Sequence, residues 1–270
     1  MEYEKQNEMD RLHRALLLIA LEIKRICEKN EIPFFLIGGT LLGAVRHKGF
    51  IPWDDDMDIG MCRDDYDRFI DACKRDLDSR FFLSTYNTEK LYAKPFAKIR
   101  LIGTHFPEPD APMGICDGIF VDVFPIDRIP PQKFKRTIHN LRNKFYLYVL
   151  LVKSGYCVDN SKFMFLAKLF ARRKKEDIIS AILRCQTKYN KYAQFEYANL
   201  CGTYKYGKDV LPIECVDNPV LIEFEKMLFP APKNPGRVLS IVYGDYMELP
   251  PESQRVSQHT SSDIDFGDVN

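Results

Sequence analysis

Between Leu36 and Met61 the chain reads LIGGTLLGAVRHKGFIPWDDDMDIGM, with four aspartates inside the last eight residues. Carboxylates at that spacing repel one another, so the segment can fold only where solvent or a cation relieves the charge. The alternation Asp56-Met57-Asp58-Ile59 predicts a strand that sends both aspartates to one face and the apolar pair to the other. Such a strand needs an apolar layer behind it and a polar opening in front. Two carboxylates side by side suit a hard divalent cation, magnesium or manganese in its place, because the cation removes their repulsion. Runs of Asp are more commonly solvated turns. Here an apolar residue between the acids and a Gly-Gly turn upstream weigh against that reading.

Two further segments bear on the same chemistry. IPFFLIGG predicts a buried strand ending at Gly38 and Gly39, with Thr40 capping the short helix LLGAVRH. Glycines in that position let backbone N–H groups approach a phosphate. In GIFVDVFPID, Asp122 stands between Val121 and Val123, where a charge is costly unless paired or coordinated. Asp127 can cap a turn at the end of that strand.

Leu12, Leu16, Ile19, Ile23 and Cys27 recur at helical spacing and predict an amphipathic first helix reaching about Glu28. KGFIPW reads as a loop, MDIGM as a strand, RDDYDRFIDACKRD as a helix with its acids exposed, and RFFLSTY as a third strand. FAKIRLIGTHF and GIFVDVFPID add two strands, the second ending at Pro125. This order argues for a mixed α/β or α+β domain over residues 1–130. Residues 131–200 read as a basic helical region with a break near Gly155. Residues 201–270, with seven prolines between Pro212 and Pro251, read as a loop-rich segment that packs back on the core and ends in a frayed tail.

The net charge of +1 conceals segregation. Ten acids face four bases between Asp54 and Asp78, whereas twelve Lys or Arg face one acid between Pro131 and Lys175. Two surfaces with different partners are implied. The eight cysteines form no C-x-x-C pair, which argues against a zinc knuckle. With no export signal legible at the N-terminus, they read as reduced thiols of a cytoplasmic protein. The longest uncharged apolar run, FYLYVLLV, falls far short of the roughly 20 residues of a membrane span.

IGGTLLGAVRHKGFIPWDDDMDIG, GIFVDVFPID and YGDYMELPPESQRVSQH together resemble the three signatures of the LicD/fukutin family, within the nucleotidyltransferase-fold superfamily. The resemblance runs from about Phe34 to His259 and is loosest over the basic middle. It implies a small mixed sheet with flanking helices. Asp56 and Asp58 would be a metal pair, Asp122 the third acid and base, and Gly38, Gly39 and Thr40 the phosphate cradle. Asp54 and Asp55 would shape the loop around them. The implied activity is transfer of a phospho-alcohol, phosphocholine in the bacterial prototypes, from a CDP-activated donor to a hydroxyl of a cell-surface glycan precursor, with release of CMP. Rival readings are a nucleotidyltransferase acting on a small molecule or tRNA, and an inactive binding module on the same fold.

Arg46, Lys48, Lys98 and Arg100 are candidates for the remaining phosphate charge. Trp53, with Tyr86, Tyr92 and Phe96 near it in sequence, is a candidate to face a quaternary ammonium. His259, at the end of the third signature, could reach the site. Lys162 to Lys175, KFMFLAKLFARRKK, suits peripheral contact with an anionic membrane at its inner face, or an amphipathic helix packed on the core. Phe163, Phe165 and Phe170 look like a packing stripe rather than a base-stacking platform, so no nucleic-acid partner is expected.

Overall fold

The apolar periodicity near the N-terminus becomes helix α1 (Glu2–Lys29), with Leu12, Leu16, Ile19, Ile23 and Cys27 all buried. These contacts belong to a computed structural model that describes residues 2–158, 164–202, 210–257 and 264–267. α1 lies across one face of a mixed sheet. The sheet contains β1 (Phe35–Leu36), β2 (Asp58–Cys62), β3 (Phe81–Ser84), β4 (Ala97–Leu101), β5 (Phe120–Arg128), β6 (Tyr197–Asn199) and β7 (Val210–Leu211). Strand order runs β1-β2-β5-β4-β3, and β6 pairs with the far end of β5 and with β7. Among the described residues only β2 and β5 pair in parallel. Helices α2 (Gly38–Arg46) and α3 (Arg63–Asp76) connect the early strands.

Register does the work of assembling the site. Asp58 of β2 is the Cα partner of Asp122 on β5, and Asp122 is the partner of Lys98 on β4. Three charged residues far apart in sequence therefore stand in one row across three strands. Met57, Ile59, Val121 and Val123 fill the layer behind them, each fully buried. That layer is what the alternation in the sequence requires.

Three expectations need correcting. The first strand stops at Leu36 and helix α2 begins at Gly38, so Thr40 lies inside the helix and caps nothing. β5 does not end at Pro125 but continues to Arg128. Because the Asp122 N–H points to β2, alternation turns the Pro125 nitrogen to the opposite edge, between the end of β4 pairing at Val123 and the start of β6 pairing at Ile126. No ladder hydrogen bond is lost there, which is how a central strand tolerates proline. Lastly, the segment from 201 onward is more regular than its prolines suggest. It holds β7, the short helix α7 (Ile213–Val216), the hairpin β8 (Val220–Phe224) and β9 (Met227–Ala231), and helix α8 (Pro235–Tyr243). Consecutive left-handed residues at the hairpin tip, Glu225 (φ 51°) and Lys226 (φ 60°), give the turn whose twist matches the strands.

Between β5 and β6 come α4 (Lys133–Ser154), α5 (Met164–Phe170) and α6 (Lys175–Gln186). α4 ends at Gly155, whose φ of 82° is the left-handed cap expected at such a break. Val149, Leu150, Ala167, Ile178 and Ile182 form a second apolar cluster that joins the three helices. All eight cysteines are free thiols.

Candidate active site

α2 presents its N-terminus to the carboxylate row. Gly38 has φ 57°, and a Cβ there would lie 2.9 Å from Asp58 Oδ2; a Cβ on Gly39 would lie 2.7 Å from Asp54 Oδ2. Glycine is demanded twice at Gly38, by backbone sign and by the close carboxylate. Instead of capping, the Thr40 hydroxyl accepts the Asp58 backbone N–H at 2.8 Å, pinning β2 against α2. The acidic loop is held from behind by α1: His13 Nε2 donates to the Asp54 carbonyl at 2.7 Å and stacks on Phe50 at 4.2 Å. Asp55 is buried and accepts a short hydrogen bond from Ser257.

Asp56 precedes β2 rather than lying in it, yet its side chain and that of Asp58 reach the same place. A cavity of about 350 Å³ is lined on one side by Asp58 and Asp122 and on others by Lys94, Phe96, Lys98 and Phe124. A second, of about 480 Å³, is lined by Arg46, Trp53, Asp54, Tyr243, Tyr246 and Gln254. Asp56 and Asp58 are the two residues common to both. Burial first, then the charges of Asp56, Asp122 and Asp54, push the Asp58 carboxyl well above its usual range, against the opposing pull of Lys98.

The positive side of the site is built on a residue that sequence reasoning missed. Glu108, in the loop after β4, accepts hydrogen bonds from Lys94 Nζ at 2.6 Å and Arg100 Nη2 at 2.7 Å, and lies 3.4 Å from Lys98 Nζ. Burial alone would raise its carboxyl, but Lys98, Lys94 and Arg100 outweigh it and hold it far below the ordinary range. Burial pushes the Lys98 ammonium down, against Asp122 and Glu108, which pull it up. Lys98 Nζ is 2.8 Å from Asp122 Oδ1, an ion pair outside hydrogen-bond geometry. Asp122 Oδ1 is thus shut off from solvent and accepts no hydrogen bond among the described residues. An acid in FPEPD reads as a solvated loop residue, and only the nearby Lys94 and Lys98 hint at its burial.

A cation fits this donor set. The Asp122 oxygen that accepts no hydrogen bond and has the Lys98 ammonium beside it, and a carboxyl at Asp58 raised first by burial and then by its acidic neighbours, are what a hard cation would relieve. Among the described residues the one group of three carboxylates whose ligand atoms all lie within 4.8 Å of one another is Asp54, Asp55 and Asp56, and Asp58 and Asp122 stand outside it. Asp56 thus belongs both to that group and to the lining shared with Asp58.

Other candidates fare differently. Arg100 is fully buried and spent on Glu108, the Gly118 carbonyl and Ser84, so it supports the wall and lines neither cavity. Lys48 is an exposed residue in a left-handed turn (φ 63°), and its carbonyl anchors Glu225 of the hairpin. It too lies off both cavities. Arg46 lines the second cavity while donating to the carbonyls of Tyr246 at 3.0 Å and Glu248 at 3.4 Å, fastening the third signature over α2. One face of Trp53 already carries the Arg255 guanidinium, 5.5 Å from the ring centroid. Tyr92 is buried with its hydroxyl on the Phe96 carbonyl, and Tyr86 is half-buried away from either cavity; neither is part of a cage. His259 lies outside the described residues, as do Lys162 and Phe163. Of the expected packing stripe, Phe170 packs against Phe145 but Phe165 is exposed.

Residues 31–146 match the profile of the nucleotidyltransferase domain described as LicD/FKTN/FKRP. The lipopolysaccharide cholinephosphotransferase LicD of Haemophilus influenzae is 31% identical over 254 residues, covering 87% of this chain and 89% of that one. Over shorter stretches, an uncharacterised protein of Rickettsia prowazekii is 48% identical across 54 residues, 19% of this chain and 20% of that one. The human ribitol 5-phosphate transferase FKRP is 42% identical across 52 residues, 19% of this chain and 10% of that one.

Proposed function

The chain belongs to the LicD family, and from that premise and the geometry of its site we propose that it transfers phosphocholine, or a closely related phospho-alcohol, to a hydroxyl of a lipopolysaccharide-type glycan. It is a phosphotransferase, and a CDP-alcohol is the proposed donor. The observation that carries the reading is the pair of cavities meeting, among the described residues, only at Asp56 and Asp58. A group transfer needs two substrate chambers opening on one set of reacting atoms, each of the size that encloses a small ligand.

Magnesium or manganese, held by Asp56, Asp58 and Asp122, would draw off the negative charge that grows on the departing CMP. The chain's own residues supply the rest. The N-terminus of α2, whose first-turn N–H groups have no partner within the helix and which opens on Gly38 and Gly39, suits the diphosphate. Lys98 and Lys94, on the wall of the first cavity, add positive charge, and Glu108 keeps both from swinging away. The acceptor oxygen attacks the phosphorus that bears the alcohol, the bond to CMP breaks in line, and Asp122 takes the hydroxyl proton.

The test is incubation with CDP-choline, magnesium and lipopolysaccharide, scored by CMP release and by choline on the glycan. Turnover of free nucleoside triphosphates, with no CMP from any CDP-alcohol, would overturn the reading in favour of a nucleotidyltransferase. No turnover with either donor class would favour a binding module.

A further inference from the structure

The first half of α4 carries a face that no described residue covers. Phe134, Ile138 and Leu141, at helical spacing, are 76%, 51% and 59% exposed. Beside this row, between α4 and α6, opens a cavity of about 400 Å³ whose walls carry Lys135, Arg142, Arg184 and Lys188. Among the described residues no carboxylate lines it, and none of the four cations is ion-paired. At about 100° per residue, Lys135 and Arg142 fall between the apolar row and the buried side of the helix at His139 and Asn143. One turn beyond Leu141, Phe145 meets Phe170 of α5 edge to face at 5.2 Å, and α5 leaves Phe165, Leu166 and Leu169 exposed.

We propose that this face docks on an anionic phospholipid bilayer. The apolar rows would enter the boundary between headgroups and acyl chains, and the four cations would meet headgroup phosphates. An exposed aliphatic and aromatic row bordered by long cationic side chains is the pattern of a helix lying in an interface, where lysine and arginine stems reach past apolar neighbours to the charged layer. A second copy of the chain is a poor occupant, since a self-complementary contact would bring two sets of unpaired cations together. Nucleic acid is a poorer one, because Ile138 and Leu141 offer no face for base stacking. No described helix is long and apolar enough to cross a membrane, so attachment would be peripheral. The placement has a consequence for the site. Leu147 and Leu151, in the second half of α4, line the first cavity, so one helix would join the bilayer to the cleft.

Sedimentation of the full chain with phosphatidylcholine vesicles, alone or mixed with phosphatidylglycerol, reads this directly and does not depend on turnover. Strong binding is expected only to the anionic vesicles. The variant Lys135→Gln/Arg142→Gln/Arg184→Gln/Lys188→Gln should lose about fivefold per cation, several hundred-fold in all. The variant Phe134→Ser/Ile138→Ser/Leu141→Ser should lose on the order of 10-fold or more and keep only binding that high salt removes. All seven positions are exposed, and unchanged circular dichroism would verify the folds. Equal binding to neutral vesicles, or full binding by the four-glutamine variant, would overturn the proposal. So would a solution dimer dissolved by either variant with no vesicle binding by the parent chain.

Discussion

Asp122 and Asp127 sit five residues apart on the same strand and are treated in opposite ways. Asp127 is fully buried and closed: Oδ1 accepts from Arg63 Nε at 3.0 Å and Asn190 Nδ2 at 2.7 Å, and Oδ2 from Arg63 Nη2 at 2.5 Å. Burial alone would lower the Arg63 guanidinium, but the Asp127 charge overrides it and raises it. Asp122, on the other face, has one cation beside it, one oxygen without a hydrogen bond among the described residues, and a cavity in front. A buried acid with both oxygens hydrogen-bonded is architecture. A half-buried acid left partly unanswered stores a demand that a ligand can meet.

That contrast can be broken from either end. Asp58→Asn or Asp122→Asn should cut turnover about 1,000-fold or more, the loss expected when a cation's ligand is removed. In Asp58→Asn the thermal midpoint should hold steady or rise, because mutual repulsion is relieved; in Asp122→Asn it should fall modestly, because the buried Lys98 charge is left to Glu108 alone. Asp127→Ala should do the reverse, costing about 3–5 kcal/mol in denaturant unfolding by stranding the Arg63 charge, while the remaining folded protein keeps its specific activity. Equal loss of stability at both positions would erase the distinction.

Glu108→Gln sharpens it. Loosening Lys94 and Lys98 should lower activity about 10- to 100-fold without changing the reaction, the usual cost of losing a residue that positions others. Glu108→Asp should recover part of it. The smallest effect expected is on pH. Burial lowers the proton affinity of His139, only partly offset by its bond to the Cys185 carbonyl. The unfolded chain then binds the extra proton more readily, so this contribution is complete above about pH 6.5 and fades as pH falls below it. Melting curves should shift down on acidification, and by less in His139→Gln, with the remainder left to His13 and His47, whose proton affinities burial also lowers.

How much of this was legible depended on whether the signal was local. The apolar stripe of α1 and the Arg63–Asp76 helix follow from spacing alone, and so does the pairing of apolar and acidic faces around Asp58. The adjacency of Asp58, Asp122 and Lys98 depends on strand register, which the sequence indicated only through resemblance. Glu108 escapes a sequence reading, and Arg100 reads there as a phosphate contact, because a buried ion network looks, residue by residue, like surface charge. The hairpin at Glu225 and Lys226 lacks the Asn-Gly signature of its turn, and its docking on Lys48 to Phe50 is a long-range contact.

In the proposed site Asp58 and Asp122, from different strands, share one divalent cation. Manganese binding followed by electron paramagnetic resonance tests it without substrate. Binding is expected in the parent chain and in a folded Asp127 variant, and its loss in Asp58→Asn and in Asp122→Asn alike. Undiminished binding in Asp122→Asn, with loss only when Asp54 or Asp55 is replaced, would place the ion in the acidic loop and contradict the account.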